Sequence, residues 1–150
     1  MKGRYEIRIS KRSLNRIKAK CKRITRSSDP TSETSKLLKL DETIRGWVNY
    51  FKLAQAKSHM QHLDAMVRTR LRISRWRQWK LIRTRVRHLV RLGIAKARAY
   101  MWGNTSKGPC RIAHSPILTR TLDVKYFLKR GYVGFYTYYS RHIEASLLIF

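Results

Sequence analysis

The residues that could do chemistry in this chain are arginines. Arg68, Arg70, Arg72, Arg75, Arg77, Lys80 and Arg83 follow one another closely, with Trp76 and Trp79 set among them. At 100° per residue on a helix, Arg68, Arg72, Arg75, Trp79 and Arg83 fall within a sector of roughly 80°. An apolar stripe occupies the neighbouring sector, so the row is expected to face outward. Guanidinium groups fork onto phosphate oxygens, and an exposed indole can stack on a base. Trp79 fits either that role or packing against a neighbouring helix. These five residues are the candidate nucleic-acid contacts. Arg45 and Lys52, seven apart and so on one face of the preceding helix, are secondary candidates. A second basic segment competes with the row: Arg85, Arg87, Arg91 and Arg98, followed by Lys107 and Arg111. The bland alternative for both is a solvated basic face.

Other chemistries lack their residues. The eight acids, Glu6, Asp29, Glu33, Asp41, Glu42, Asp64, Asp123 and Glu144, are scattered. Two-metal polymerases and nucleases need clustered carboxylates. Asp41 and Glu42 are adjacent, but neighbours on a helix diverge by about 100°, and they read better as partners for nearby lysines. His59 and His62 lie three apart, yet only Asp64 accompanies them, and the surrounding positive charge repels a divalent cation. A glycine-rich phosphate loop and a serine elbow are both missing from the sequence. The expectation is therefore no catalytic constellation, no metal and no cofactor.

The whole chain agrees with a polyanion partner. It has 150 residues, 35 Lys+Arg against 8 Asp+Glu, and a formal net charge of +27. Four Trp, eight Tyr and four Phe exclude a disordered basic tail. A core should form under a shell that is almost wholly positive, and such a shell repels itself until a polyanion neutralises it. Nucleic acid is the first expectation and an anionic membrane surface the second. The longest apolar run, Leu147 to Phe150, is too short to span a bilayer, and no secretory leader follows Met1. Cys21 and Cys110 cannot build a disulfide framework, which points to a reducing, cytoplasmic compartment.

Helices must position these residues. Ser10 can cap a helix running to about Arg26, with Leu14, Ile17, Cys21 and Ile24 on one face. The turn formers at 27–32 break it. A second helix is expected over about 35–55, with Leu37, Leu40, Ile44, Trp47, Val48 and Phe51 in one apolar stripe. Leu40, Ile44, Trp47 and Phe51 are assigned to the core. Gly46 sits inside this helix at a cost of about 1 kcal/mol against Ala, which usually marks close approach of a helix or a ligand. A third helix is expected over about 58–81, with Met60, Leu63, Val67, Leu71 and Ile82 inward. Short helices follow: 83–92 stopped by Gly93, 95–102, a loop at 107–109, 115–122 and 123–131. Tyr5, Ile7 and Ile9 would share one face of a short strand. The expected fold is all-α: a three-helix bundle at 11–82, a short-helix basic module at 83–131, a strand remnant in 1–10, and an unassigned tail at 132–150.

Several runs now resemble a known family. Ile44-Arg45-Gly46-Trp47-Val48-Asn49-Tyr50-Phe51-Lys52 resembles the signature of the maturase-specific domain of group II intron-encoded reverse transcriptases. Lys11-Arg12-Ser13-Leu14-Asn15-Arg16 resembles the start of that domain. Leu63-Asp64, Arg68-Thr69-Arg70-Leu71-Arg72 and Trp76-Arg77-Gln78-Trp79-Lys80 are similar to its third helix. Lys107-Gly108 with Arg111 to Pro116 is similar to a later segment of bacterial members. The resemblance covers about residues 4–134. It implies a thumb-like three-helix domain that grips group II intron RNA and assists its splicing, while catalysis belongs to the RNA. It further implies that the segment after the thumb, with Arg85, Arg87, Arg91, Arg98, Lys107 and Arg111, contacts target DNA. The strand at 4–9 would be a palm remnant.

The departures are as specific as the matches. The polymerase regions with their Tyr-x-Asp-Asp motif are missing from the sequence, so no polymerase activity is expected. Met66 replaces an expected Trp, Pro109-Cys110 replaces an aromatic-Trp pair, and the chain after about Tyr139 departs from the family. Two alternatives remain beside an RNA-binding maturase module: a thumb fragment that assembles with a separate reverse-transcriptase core, and a generic structural-RNA binder.

Overall fold

The computed structural model describes residues 6–149, and among these it holds nine helices and no strand. They are α1 (Lys11–Ile24), α2 (Glu33–Phe51), α3 (Lys57–Gln78), α4 (Ile82–Arg91), α5 (Lys96–Gly103), α6 (Pro109–Ala113), α7 (Pro116–Thr121), α8 (Val124–Lys129) and α9 (Phe135–Ile149). The all-α class is as expected. The chain forms two compact units. Among the described residues, one takes 6–24, Thr31–Val67 and 131–149; the other takes Thr25–Pro30 and Arg68–Arg130.

In the first unit, local caps start the helices where the sequence places them. Ser10 Oγ accepts the Ser13 N–H at 3.2 Å, and Ser32 Oγ accepts the Ser35 N–H at 3.3 Å. Each satisfies one of the donors that a helix start leaves over. The apolar stripes then bury Ile17, Cys21 and Ile24 from α1, Leu37, Leu40, Ile44 and Val48 from α2, and Met60, Leu63 and Val67 from α3.

α2 stops at Phe51, short of residue 55. The turn behind it buries Ala54 and Ala56, and Tyr139 serves both. Its hydroxyl donates to the Ala54 carbonyl at 2.6 Å and accepts the Ala56 N–H at 3.2 Å. The tail that carries Tyr139, unassigned from sequence, is the long helix α9, which packs on α2.

Three expectations need correction here. Residues 6–10 are not a strand: no partner strand exists among the described residues, and the Ile7 carbonyl accepts the Gln55 N–H at 2.9 Å instead. Ile9 is buried as expected, while Tyr5 lies outside the described residues. Trp47 and Phe51 are half-buried rather than core. Phe135 of α9 meets Trp47 edge-on at 5.7 Å and Phe51 lies at 4.7 Å, but the remaining ring surface opens on a groove beside α1.

In the second unit, α3 ends at Gln78, so Ile82 belongs to α4 and is 47% exposed, the third correction. The chain turns after Gln78 so that Trp79 can be buried with Trp76 and Leu89. α4 and α5 pack closely because Gly103 has no side chain: a Cβ there would lie 2.9 Å from Val86 Cγ2. The remaining helices are short and are started by proline or by a cap. Pro109 and Pro116 stand in the first turns of α6 and α7, and Asp123 Oδ1 accepts the Tyr126 N–H at 2.9 Å to start α8. α6 occupies a stretch of which the sequence marked only the loop at 107–109. Arg70 Nε donates to Thr25 Oγ1 at 2.8 Å, and Arg77 bonds Ser27, which ties the 25–30 turn to α3.

Candidate nucleic-acid interface

The arginine row does not face outward as one surface. Arg83 is exposed, Arg68 and Arg75 are half-buried, and Arg72 is only 9% exposed. Arg72 Nε donates to the Leu122 carbonyl at 2.8 Å, and its guanidinium lies 6.0 Å from the Phe127 ring centre. Burial, with the nearby Arg68 charge, holds its pKa below the ordinary arginine value. The short helices α7 and α8 enclose the side that Arg72 occupies, which helix periodicity alone does not reveal.

Trp79 is likewise enclosed, at 4% exposure. Its indole stacks on His88, with centroids 4.6 Å apart and planes 7° from parallel, and meets Trp76 edge-on at 6.1 Å. Arg85 completes this cluster. Its Nε donates to the Trp79 carbonyl at 2.7 Å and its guanidinium lies 4.4 Å above Trp76. Burial lowers the Arg85 pKa. Of Trp79's two roles, the structure shows the packing one.

Three exposed cations of this unit align on α4. Arg83, Arg87 and Arg91 recur every four residues, and all three are exposed. Arg83 and Arg87 line a groove of about 650 Å³ with Lys96 and Tyr100 of α5 and the apolar Ile82 and Val90. The structure thus brings together one residue read as an RNA contact and one read as a DNA contact. Arg98 is exposed on α5 outside that lining. Lys107 and Arg111 line a separate pocket of about 450 Å³ with Trp102, and Lys107 Nζ lies 5.5 Å over the indole.

In the first unit, Arg45 is exposed but held. It pairs with Asp41 at 3.1 Å, one helical turn away, and its Nε donates to the Tyr138 hydroxyl at 2.9 Å. Tyr138 in turn donates to Asp41 at 2.5 Å. Burial, then the Asp41 carboxylate, raises the Tyr138 pKa, and the bond to Tyr138 raises that of Arg45. Lys52 is exposed at the end of α2.

Sequence reasoning missed a further constellation. α1 and α2 flank a groove of about 590 Å³, with Arg16 and Lys20 on one side and Gly46, Trp47, Tyr50 and Phe51 on the other. The signal was present in α1, whose fourteen residues hold seven cations and no acid.

The carboxylates that could suggest metal chemistry are engaged in holding the fold. Asp41 serves Arg45 and Tyr138, and Asp123 caps α8. Asp64 is 5% exposed and accepts from the Tyr132 hydroxyl at 2.7 Å and from the N–H groups of Phe135 at 2.8 Å and Tyr136 at 3.0 Å. His59 is half-buried and His62 exposed on α3. Among the described residues, no three His, Cys, Asp or Glu side chains group as metal ligands would. No helix in the same range is long and apolar enough to cross a membrane.

No curated protein matches the chain. The family model described as the group II intron maturase-specific domain matches residues 14–93, from the first turn of α1 to the glycine that ends α4. That is more than half of the 150 residues, and it includes the Arg45–Lys52 motif, the whole of α3 and the α4 arginines. The chain belongs to the family of group II intron maturase-specific domains.

Proposed function

We propose that the protein is an RNA-binding maturase module that clamps folded group II intron RNA and assists its splicing. Family membership ties it to group II intron splicing and implies that intron's RNA as the partner. The observation that carries the RNA-binding step is charge: +27 on 150 residues, with Arg83 exposed on α4 and cations throughout α1. Phosphate contacts of this kind position a protein on nucleic acid and supply most of its affinity. Intron RNA is held first by Arg68, Arg75 and Arg83, with Arg45 and Lys52 in support. Arg72 and Trp79 act from beneath, by fixing the backbone that carries them.

The module performs no catalysis of its own. In support, Asp41, Asp64 and Asp123 each already hold a structural partner. Cys21 and Cys110 form no disulfide with each other, which suits a cytoplasmic setting. Contact with target DNA through Arg87, Arg91, Arg98, Lys107 and Arg111 is a secondary role, and it draws support from the exposure of all five. Assembly with a separate reverse-transcriptase core is favoured by one specific feature, the exposed Leu38 and Leu53 on and just after α2.

The test compares two charge-removal variants, one at Arg68, Arg75 and Arg83 and one at Arg87, Arg91 and Arg98, on intron RNA and duplex DNA. The first should lose intron RNA and the second should lose DNA. If the first binds intron RNA like the parent while the second loses it, the assignment is wrong.

A further inference from the structure

We infer that the groove between α1 and α2 receives one unstacked nucleotide of RNA. Its base lies against Trp47, Tyr50 and Phe51 above Gly46, and its phosphates lie beside Arg16 and Lys20. The inference rests on the RNA-binding function proposed above and adds to it a place and a mode of contact.

Gly46 is the starting observation. It stands in the interior of α2, where glycine is a worse choice than alanine because it loses more backbone freedom on folding. Close packing would justify it, as at Gly103, where a Cβ would strike Val86. At Gly46 a Cβ would meet nothing within 4 Å. The fold itself therefore gives no reason for the glycine, and the space it leaves open adjoins three aromatic rings.

Those rings are available. Tyr50 is 81% exposed, and Trp47 and Phe51 are half-buried with their free surface toward the groove. Their mutual angles, 49° for Trp47–Phe51 and 79° for Tyr50–Phe51, present faces and edges rather than one flat platform. A base inserted among them can stack on one ring and meet the edge of another. Within a helix the neighbouring bases cover both faces of a base, so the occupant must be unstacked.

Charge selects a nucleotide over an apolar protein segment. Arg16 and Lys20 are four apart on α1 and stand together on the groove wall, on a helix with no acid. Glu42 is the one carboxylate in the lining, and it can accept from a base amino group. The volume of about 590 Å³ falls within the range of about 300–1,000 Å³ usual for sites that hold one small organic molecule.

The test uses the full chain with Tyr50→Ala and Gly46→Ala. Neither substitution removes a buried side chain, and Gly46→Ala should melt no lower than the parent. Affinity is read by fluorescence anisotropy for three labelled probes: a short single-stranded RNA, the same strand carrying abasic sites, and a short RNA duplex. Salt is set high enough to suppress general phosphate binding. Each variant should bind the single strand roughly 5- to 150-fold more weakly, as expected for loss of one stacked base. Duplex affinity should not change, and the parent should bind the abasic strand as weakly as the variants bind the intact one. If both variants bind the single strand like the parent, the groove holds no base, and that result includes the case of a protein segment docking there. Equal loss on strand and duplex also overturns the inference. A parent that binds no RNA at low salt overturns the RNA-binding function itself, a result distinct from either of these.

Discussion

Asp64 Oδ1 accepts the backbone N–H of Phe135 at 2.8 Å across 71 positions of sequence. Oδ2 takes the next N–H, from Tyr136, so one carboxylate from the middle of α3 caps the start of α9. Gly134, just before that start, has φ +94, and a Cβ on it would lie 2.6 Å from Asp64 Oδ1. The glycine lets the chain turn and lets the carboxylate approach.

Asp64→Ala should therefore be among the most damaging single changes in the protein. It leaves two N–H groups and the Tyr132 hydroxyl without their acceptor, and each such buried group costs about 1–3 kcal/mol. The expected loss is about 3 kcal/mol or more in denaturant unfolding. Gly134→Ala should also destabilise, from strain and from displacement of the carboxylate. If Asp64→Ala unfolds at the parent's midpoint, α9 is not held by this cap.

Arg72 and Arg83 should separate stability from binding. Arg72→Ala deprives the buried Leu122 carbonyl of its donor, worth about 1–3 kcal/mol, and should lower the melting temperature. Arg83→Ala should leave melting unchanged and weaken intron RNA binding across all sequences, with a salt slope reduced by about 1. Equal melting of the two variants would show that Arg72 has no structural part.

His88 makes stability depend on pH. Burial first, and then the charges of Arg87, Arg91, Arg75 and Arg130, lower its pKa below the ordinary 6.5. The unfolded chain therefore binds a proton more readily than the folded one. The stabilisation is present above pH 6.5 and is lost as pH falls below it toward the folded-state pKa. His88→Phe can keep the stack on Trp79 and should flatten this part of the profile. An unchanged acid limb in the variant would assign the pH dependence elsewhere.

The two thiols should react at very different rates. Burial, offset in part by Lys20, pushes the Cys21 pKa up to about 11, so at pH 8 only about one molecule in a thousand holds the thiolate. Cys110 is exposed. Iodoacetamide at pH 8 should modify Cys110 in the native protein and Cys21 only on unfolding, as peptide mapping would show. Equal native reactivity would contradict the burial of Cys21.

What the sequence revealed and what it concealed follow from the range of the interactions. α1 and α2 start at their own serines, three residues from the N–H groups they serve, so local pattern finds them. α9 is preceded by Tyr132-Val133-Gly134, with no Ser, Thr, Asp or Asn to cap it, because its cap comes from α3. Helical periodicity placed Arg72 beside the apolar stripe, but only α7 and α8, fifty residues on, decide that it is enclosed. Trp47 is on the stripe and still half open, because α9 covers only part of it and α1 leaves a groove. The Arg45-Gly46-Trp47 motif was legible as a family mark. The open space above its glycine became visible only with α1 in place.

A shell of +27 that grips intron RNA through its phosphates must show itself in the salt dependence of affinity for a folded group II intron RNA. If about 6–10 phosphates are neutralised, affinity should fall by roughly 10³–10⁵ between about 50 and 200 mM salt. A flat dependence over that range, or no binding at its low end, would show that phosphate contacts do not hold the RNA.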